Sequence, residues 1–160
     1  MLLNCRSAVK HAAEIANLNL THQLDILTLT ETWLNEVSTP TLDLLVPLNH
    51  DIFRLDRPSR PGGGIACIHQ KNVSVKQSNK IYISLCEYLC LCIDILNNYS
   101  TVCKLHSIYH PPGDNITFIE QIMETISTNA GQHGTHIFLG DFDLHWNDQN
   151  DPAVNNLKAF

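Results

Sequence analysis

The 160-residue chain fits a single domain; at 44% hydrophobic and 16% charged it can bury a core, which excludes a disordered tail. A formal net charge of −6, from 10 Lys and Arg against 16 Asp and Glu, argues against strong non-specific nucleic-acid binding, because neutralising phosphates needs basic side chains. It leaves a nuclease open, since a metal-binding pocket is itself acidic.

No apolar run approaches the ~20 residues of a membrane span. Met1-Leu2-Leu3 is too short for a secretory leader and is interrupted by Asn4 and Arg6. An intracellular, reducing setting is therefore expected.

Leu2 to Cys5 reads as a strand end. Ser7 can cap a helix, with Val9, Ala13, Ala16 and Leu20 following at helical spacing. Leu24 to Thr30 reads as a buried strand with Glu31 just past its end. Thr39 to Leu45 reads as a short helix. Asp51 to Arg57 and Gly64 to His69 read as strands around the Pro/Gly turn "RPSRPGGG". Cys86 to Leu96 and Thr101 to Ile108 flank "NNYS", a hairpin turn.

In the first strand of that hairpin Leu89, Leu91, Ile93 and Ile95 share one face, and Cys90 and Cys92 the other. Both faces are apolar, so both are covered: a second sheet on one side and helices on the other satisfies this. "HPPGDN" is a loop. Thr117-Phe118-Ile119-Glu120 forms a capping box for a helix lined by Ile119, Ile122, Met123 and Ile126, with Gly131 able to end it. Thr135 to Leu139 is the last clear strand, and the tail after Trp146 is polar with no obvious partner element. Mixed strands with outer helices predict a layered α/β sandwich.

None of the six cysteines, Cys5, Cys67, Cys86, Cys90, Cys92 and Cys103, forms a CxxC pair. No histidine lies nearby in sequence at ligand spacing, so buried free thiols are expected rather than a zinc site.

Four polar residues fall at strand ends or just beyond them: Asn4, Glu31, Tyr109 and Asp141. Sites are commonly built from such positions at one rim of a scaffold. Glu31 is a hard oxygen ligand suited to Mg²⁺. Asp141 can position or deprotonate a water, and Tyr109 and Asn4 can hydrogen-bond a phosphate.

The stretches "LLNCRS" (2–7), "DILTLTETWLN" (25–35), "RPGGGIACIHQ" (60–70), "CEYLCLCI" (86–93), "IYHPPGDN" (108–115) and "IFLGDFDLHW" (137–146) carry a resemblance. Together the chain resembles the endonuclease/exonuclease/phosphatase superfamily, and within it the endonuclease domain of LINE-type (non-LTR) retrotransposon proteins. The resemblance implies a four-layered α/β sandwich of two packed mixed sheets flanked by helices. It implies Mg²⁺-dependent hydrolysis of DNA phosphodiesters, with Mn²⁺ as a substitute ion, and a nuclear role. It also implies roles: Asn4 at the scissile phosphate, Glu31 on the metal, Tyr109 supporting the phosphate and Asp141 handling the attacking water. His145 and Trp146 match a retrotransposon signature of structural character. A phosphatase or deadenylase of the same superfamily is a further enzymatic reading.

Two departures bear on activity. The family has Asn where this chain has Asp143, and a carboxylate cannot donate to a phosphate oxygen. Two unit charges ~4 Å apart cost about 4 kcal/mol at an effective dielectric of 20. Asp143 is thus expected to impair the site, to bind a second metal, or to share a proton with Asp141. The family also closes on Ser-Asp-His, whereas none of the nine histidines here follows an aspartate. Residues 1–160 are therefore expected to form a partial domain without its closing strands, and a catalytically inactive remnant is the alternative reading.

Overall fold

The computed structural model describes residues 1–58, 62–83, 88–98, 100–112, 115–130, 135–144, 146–148 and 150–159. Strand β1 (Leu2–Asn4) runs parallel to β2 (Ile26–Thr30), and β2 pairs antiparallel with β4 (Ile65–Gln70), which pairs antiparallel with β3 (His50–Leu55). The result is one mixed sheet in the order β1-β2-β4-β3. The second mixed sheet has the order β5-β6-β7-β8, formed by β5 (Val75–Ile83), β6 (Tyr88–Asn97), β7 (Ser100–Tyr109) and β8 (Thr135–Asp141). Here β7 and β8 are the parallel pair.

The two sheets pack face to face. Ile65 and Cys67 from β4 meet Leu89, Leu91 and Ile93 from β6 and Leu105 and Tyr109 from β7 in one core. The alternation read from β6 explains this, because its other face presents Cys90 and Cys92 to α3 (Asn115–Ala130) through Phe118, Ile119 and Ile122. On the outer face of the first sheet, α1 (Ala8–Thr21) and α2 (Thr39–Leu45) cover Leu27, Leu29, Ala66 and Ile68. Helices thus flank both sheets, giving the expected four-layered α/β sandwich.

Two core thiols shift in opposite directions. Burial pushes the Cys67 thiol up to about 12. The Cys90 thiol, helped by His106 and set against burial, pulls the Cys92 thiol down to about 5.

The structure corrects several local expectations. Ser7 does cap α1, its hydroxyl accepting from the Lys10 amide at 3.3 Å, but the buried face is Ala8, Ala12, Ile15 and Asn19. Val9 and Leu20 are 48% and 54% exposed. The buried set keeps the spacing of the expected stripe but starts one residue earlier, a rotation of the helix about its axis that sequence periodicity does not fix; the backbone is non-helical at His11 (φ −118°). Helix α3 starts at Asn115, so Thr117 lies inside its first turn rather than at its cap.

Strand β5 was not expected. "VKQSNKIYI" is largely polar, sits at a sheet edge and carries a register shift between Gln77 and Asn79, all of which blur period-2 alternation. The tail forms α4 (Pro152–Ala159), packed against α3 with Val154 fully buried. Its signal is Asp-Pro: the Asp151 carboxylate accepts from the Val154 amide at 3.4 Å, and Pro152 takes the first helical position. Cys86, Gly131 and His145 lie outside the described residues.

Candidate active site

Parallel neighbours finish at the same edge of a sheet, and here two such pairs finish together. Asn4 ends β1 opposite Thr30, the last residue of β2, and Glu31 follows at once. Tyr109 ends β7 opposite Asp141, the last residue of β8. Because β1 abuts β8 across the sheets, the four ends converge on one rim.

Three of the four side chains meet there, while that of Tyr109 is buried in the core between the sheets. The Asn4 amide nitrogen donates to Glu31 Oε1 at 3.1 Å and to Asp141 Oδ2 at 2.6 Å. Two carboxylates from different sheets therefore lie within hydrogen-bond reach of a single nitrogen. The Asn4 carbonyl in turn accepts from the Arg6 amide at 3.2 Å, which fixes the orientation of the amide. Asn4 is exposed, and Glu31 and Asp141 are half-buried, so the cluster opens to solvent.

The backbone beneath is tightly held. Glu31 adopts a left-handed φ of 53°, and its carbonyl accepts from the Ser7 amide at 2.8 Å. The Thr32 carbonyl accepts from the Ala8 amide, also at 2.8 Å, so the exit from β2 is pinned to the start of α1. A left-handed φ at a non-glycine residue costs energy and persists only where neighbours enforce it. The Cys5 thiol, raised by burial and further by the Glu31 charge, stays protonated and donates to the Thr30 carbonyl at 3.3 Å.

Glycines permit the closest approaches. At Gly64 (φ +87°) a side chain would meet Thr32 Oγ1 at 2.6 Å, and at Gly63 it would meet Tyr109 Cε1 at 3.0 Å. The Gly63 carbonyl accepts from the Trp33 amide at 2.9 Å. The run Gly62–Gly64 is thus more than the turn expected from sequence: it seats Tyr109 and the segment after Glu31. Buried Thr32, Gly63 and Gly64 support the site and were missed, although the run of glycines was a visible signal for close backbone packing.

Gly140 has the same function for Asp141, since a Cβ there would lie 2.0 Å from the Ile108 carbonyl oxygen. Asp143 stands two residues further on, half-buried, with a left-handed φ of 46°. Asn and Asp both tolerate that conformation, so the family's Asn and this chain's Asp differ at this position in charge and donor capacity rather than in backbone fit.

A family model described as "Endonuclease/Exonuclease/phosphatase family" matches residues 1–155. The chain belongs to this family. No curated protein matches its sequence. Among solved structures of similar fold is a mannosyl-6-phosphatase from Bacteroides thetaiotaomicron, with a TM-score of 0.67 and 14% identity, covering 96% of this chain and 63% of that one. An AP endonuclease from Archaeoglobus fulgidus has a TM-score of 0.62 and 13% identity, covering 88% and 55%. Truncated TDP2 from Caenorhabditis elegans has a TM-score of 0.59 and 16% identity, covering 88% and 58%. The chain therefore spans less than two thirds of the length of each.

Within this family the rim is chemically suited to a hard divalent cation. The ligand atoms it offers are the carboxylate oxygens of Glu31 and Asp141. Two carboxylates already converge on one partially positive amide group, the arrangement that also draws a cation.

Proposed function

We propose that this rim is the active site of a Mg²⁺-dependent DNA phosphodiester hydrolase of the LINE retrotransposon type, with residues 1–160 forming one endonuclease/exonuclease/phosphatase domain. The observation that carries the reading is the Asn4 amide joining Glu31 and Asp141 across the two sheets. The motifs "TETWL" and "IFLGDFDLHW" support the retrotransposon branch over a phosphatase. The protein acts in the nucleus on DNA, and no described helix is long and apolar enough to cross a membrane.

Glu31, with Asp141 beside it, holds the cation, which when bound offsets negative charge on the phosphoryl oxygens. Asp141 orients a water and accepts its proton. Asn4, freed from one carboxylate, donates to the phosphate, and Tyr109 supports it from the β7 side. The exposed Trp33 ring, seated by Gly62 and Gly63, offers a face for a nucleobase.

The test is nicking of supercoiled plasmid in Mg²⁺ and in EDTA, by the chain alone and joined to a C-terminal segment carrying Ser-Asp-His. Metal-dependent nicking lost in Glu31→Ala and Asp141→Ala supports the reading. A second reading, a non-catalytic form of the same domain, is favoured by Asp143, whose carboxylate cannot donate to a phosphate oxygen. Metal-dependent DNA binding with no nicking by either form would establish that second reading.

A further inference from the structure

The hairpin β6–β7 brings His106 against Cys92, 14 residues earlier in the chain, and its close neighbour Cys90. Cys92 pairs with His106 in register, and Cys90 lies two residues along the same face. Cys90 Sγ is 3.6 Å from Cys92 Sγ, and Cys92 Sγ is 3.4 Å from His106 Nδ1. All three ligand atoms lie within 4.8 Å of one another, and all three residues are buried.

We propose that Cys90, Cys92 and His106 form a binding site for a thiophilic metal ion of the Zn²⁺ type, enclosed between β6–β7 and α3.

The spacing supports this. A tetrahedral ion with Zn–S of ~2.3 Å and Zn–N of ~2.0 Å sets its sulfurs about 3.8 Å apart and sulfur from nitrogen about 3.5 Å. The Cys90–Cys92 and Cys92–His106 separations match to within roughly 0.2 Å, and the third pair, within 4.8 Å, needs at most a modest closing around the ion. The donors are soft, which disfavours Mg²⁺ and selects Zn²⁺ or Cu⁺.

His106 is also oriented as a metal ligand requires. Its Nε2 faces His136 Nδ1 at 3.0 Å, and its ring stacks on Phe138 at 4.3 Å. Donation from Nε2 to His136 leaves the Nδ1 lone pair aimed at the sulfurs, the arrangement of a ligand held by an outer partner. Binding takes both sulfurs as thiolates, any proton still held passing to solvent, and leaves His106 neutral.

The site is separate from the rim. His106, like Cys90 and Cys92, faces α3, whereas Tyr109 faces the other sheet, and three residues of β7 place the two sites about 10 Å apart along the strand. Sequence reading passed over the site because His106 meets the cysteines only through the hairpin register.

The test uses the 160-residue chain, stripped with chelator and titrated with Co²⁺. Thiolate-to-Co²⁺ charge-transfer absorption at one ion per chain is expected, displaced by Zn²⁺ and not by millimolar Mg²⁺. Cys92→Ser should abolish the band, and His136→Ala should weaken affinity by about 10–100-fold while keeping it. Saturating Zn²⁺ should raise the native melting temperature by about 5–10 °C. Peptide mapping after alkylation gives a readout that needs no variant, with Zn²⁺ shielding Cys90 and Cys92 but not Cys103. Absence of the band, its persistence in Cys92→Ser, or equal alkylation of Cys90 and Cys92 with and without Zn²⁺ would overturn the proposal.

Discussion

Asn4 donates its amide to Asp141 at 2.6 Å, a bond that ties the edge of one sheet to the edge of the other across 137 residues of sequence. The same nitrogen reaches Glu31 at 3.1 Å. Removing it leaves two carboxylates facing each other with no donor between them. Asn4→Ala is expected to cost about 1–2 kcal/mol in EDTA, given the partial exposure of the pair, and the loss should shrink when Mg²⁺ is added. Urea unfolding with and without Mg²⁺ checks this. An equal loss in both conditions would mean that the two carboxylates do not repel each other through the gap.

Glu31 is expected to dominate divalent binding at the rim. Mg²⁺ surrenders its waters reluctantly, and a site of two carboxylates is loose. Calorimetry should show weak Mg²⁺ binding that Glu31→Gln reduces by about tenfold or more. Unchanged affinity would remove Glu31 from that role. The same variant should leave Co²⁺ binding at Cys90, Cys92 and His106 intact, since those ligands face α3.

Gly140→Ala tests how Asp141 is delivered to the rim. A Cβ 2.0 Å from the Ile108 carbonyl cannot be absorbed by a rotamer change, because the obstacle is backbone. Strands β7 and β8 must separate, at an expected cost of about 3 kcal/mol or more. A melting temperature within 2 °C of the native protein would show that the parallel pair is looser than its register indicates.

Much of this was legible in the sequence, because strand alternation and turn chemistry act locally. The two apolar faces of β6 called for a sheet on one side and helices on the other, and α2 has the expected bounds Thr39–Leu45. Polar residues at the ends of apolar strands marked Asn4, Glu31, Tyr109 and Asp141. Features set by long-range packing were not legible. Edge strand β5 has little alternation to read, and the buried face of α1 depends on how the helix is rotated against the sheet. The meeting of His106 with Cys92 depends on hairpin register, which sequence spacing does not encode.

Cys67 gives a pH prediction. Its folded thiol is raised to about 12 by burial, above the ordinary value of 9.0. A raised folded pKa means that the native state holds its proton after the unfolded chain has lost it. The associated stability is present below about pH 9 and declines as pH rises towards 12. Cys67→Ala should flatten this alkaline limb of the stability profile relative to the native chain, even though it lowers stability at neutral pH by removing a buried sulfur. Parallel profiles for the two proteins between pH 8 and 11, on the order of the range that linkage covers, would contradict the assignment.

On the proposed reading of the rim, Asp143 is expected to set how well it receives a phosphate. It follows Asp141 by two residues, is half-buried, and its left-handed backbone suits Asn equally well, so Asp143→Asn changes charge with little change in fold. One negative charge beside the incoming phosphate is removed and an amide donor is gained. After allowance for solvent screening the effect is about 1.4 kcal/mol, or about tenfold. In the form joined to a Ser-Asp-His segment, Mg²⁺-dependent nicking should rise about tenfold on Asp143→Asn. It should fall at least ~100-fold on Asp141→Ala, the scale of a lost general base. The chain alone should nick little in either version, because no Asp-His pair is present to supply the remaining acid–base function. Nicking that falls on Asp143→Asn would mean that this carboxylate binds a second cation or shares a proton with Asp141, and that the acidic pair is an adaptation of the site rather than damage to it.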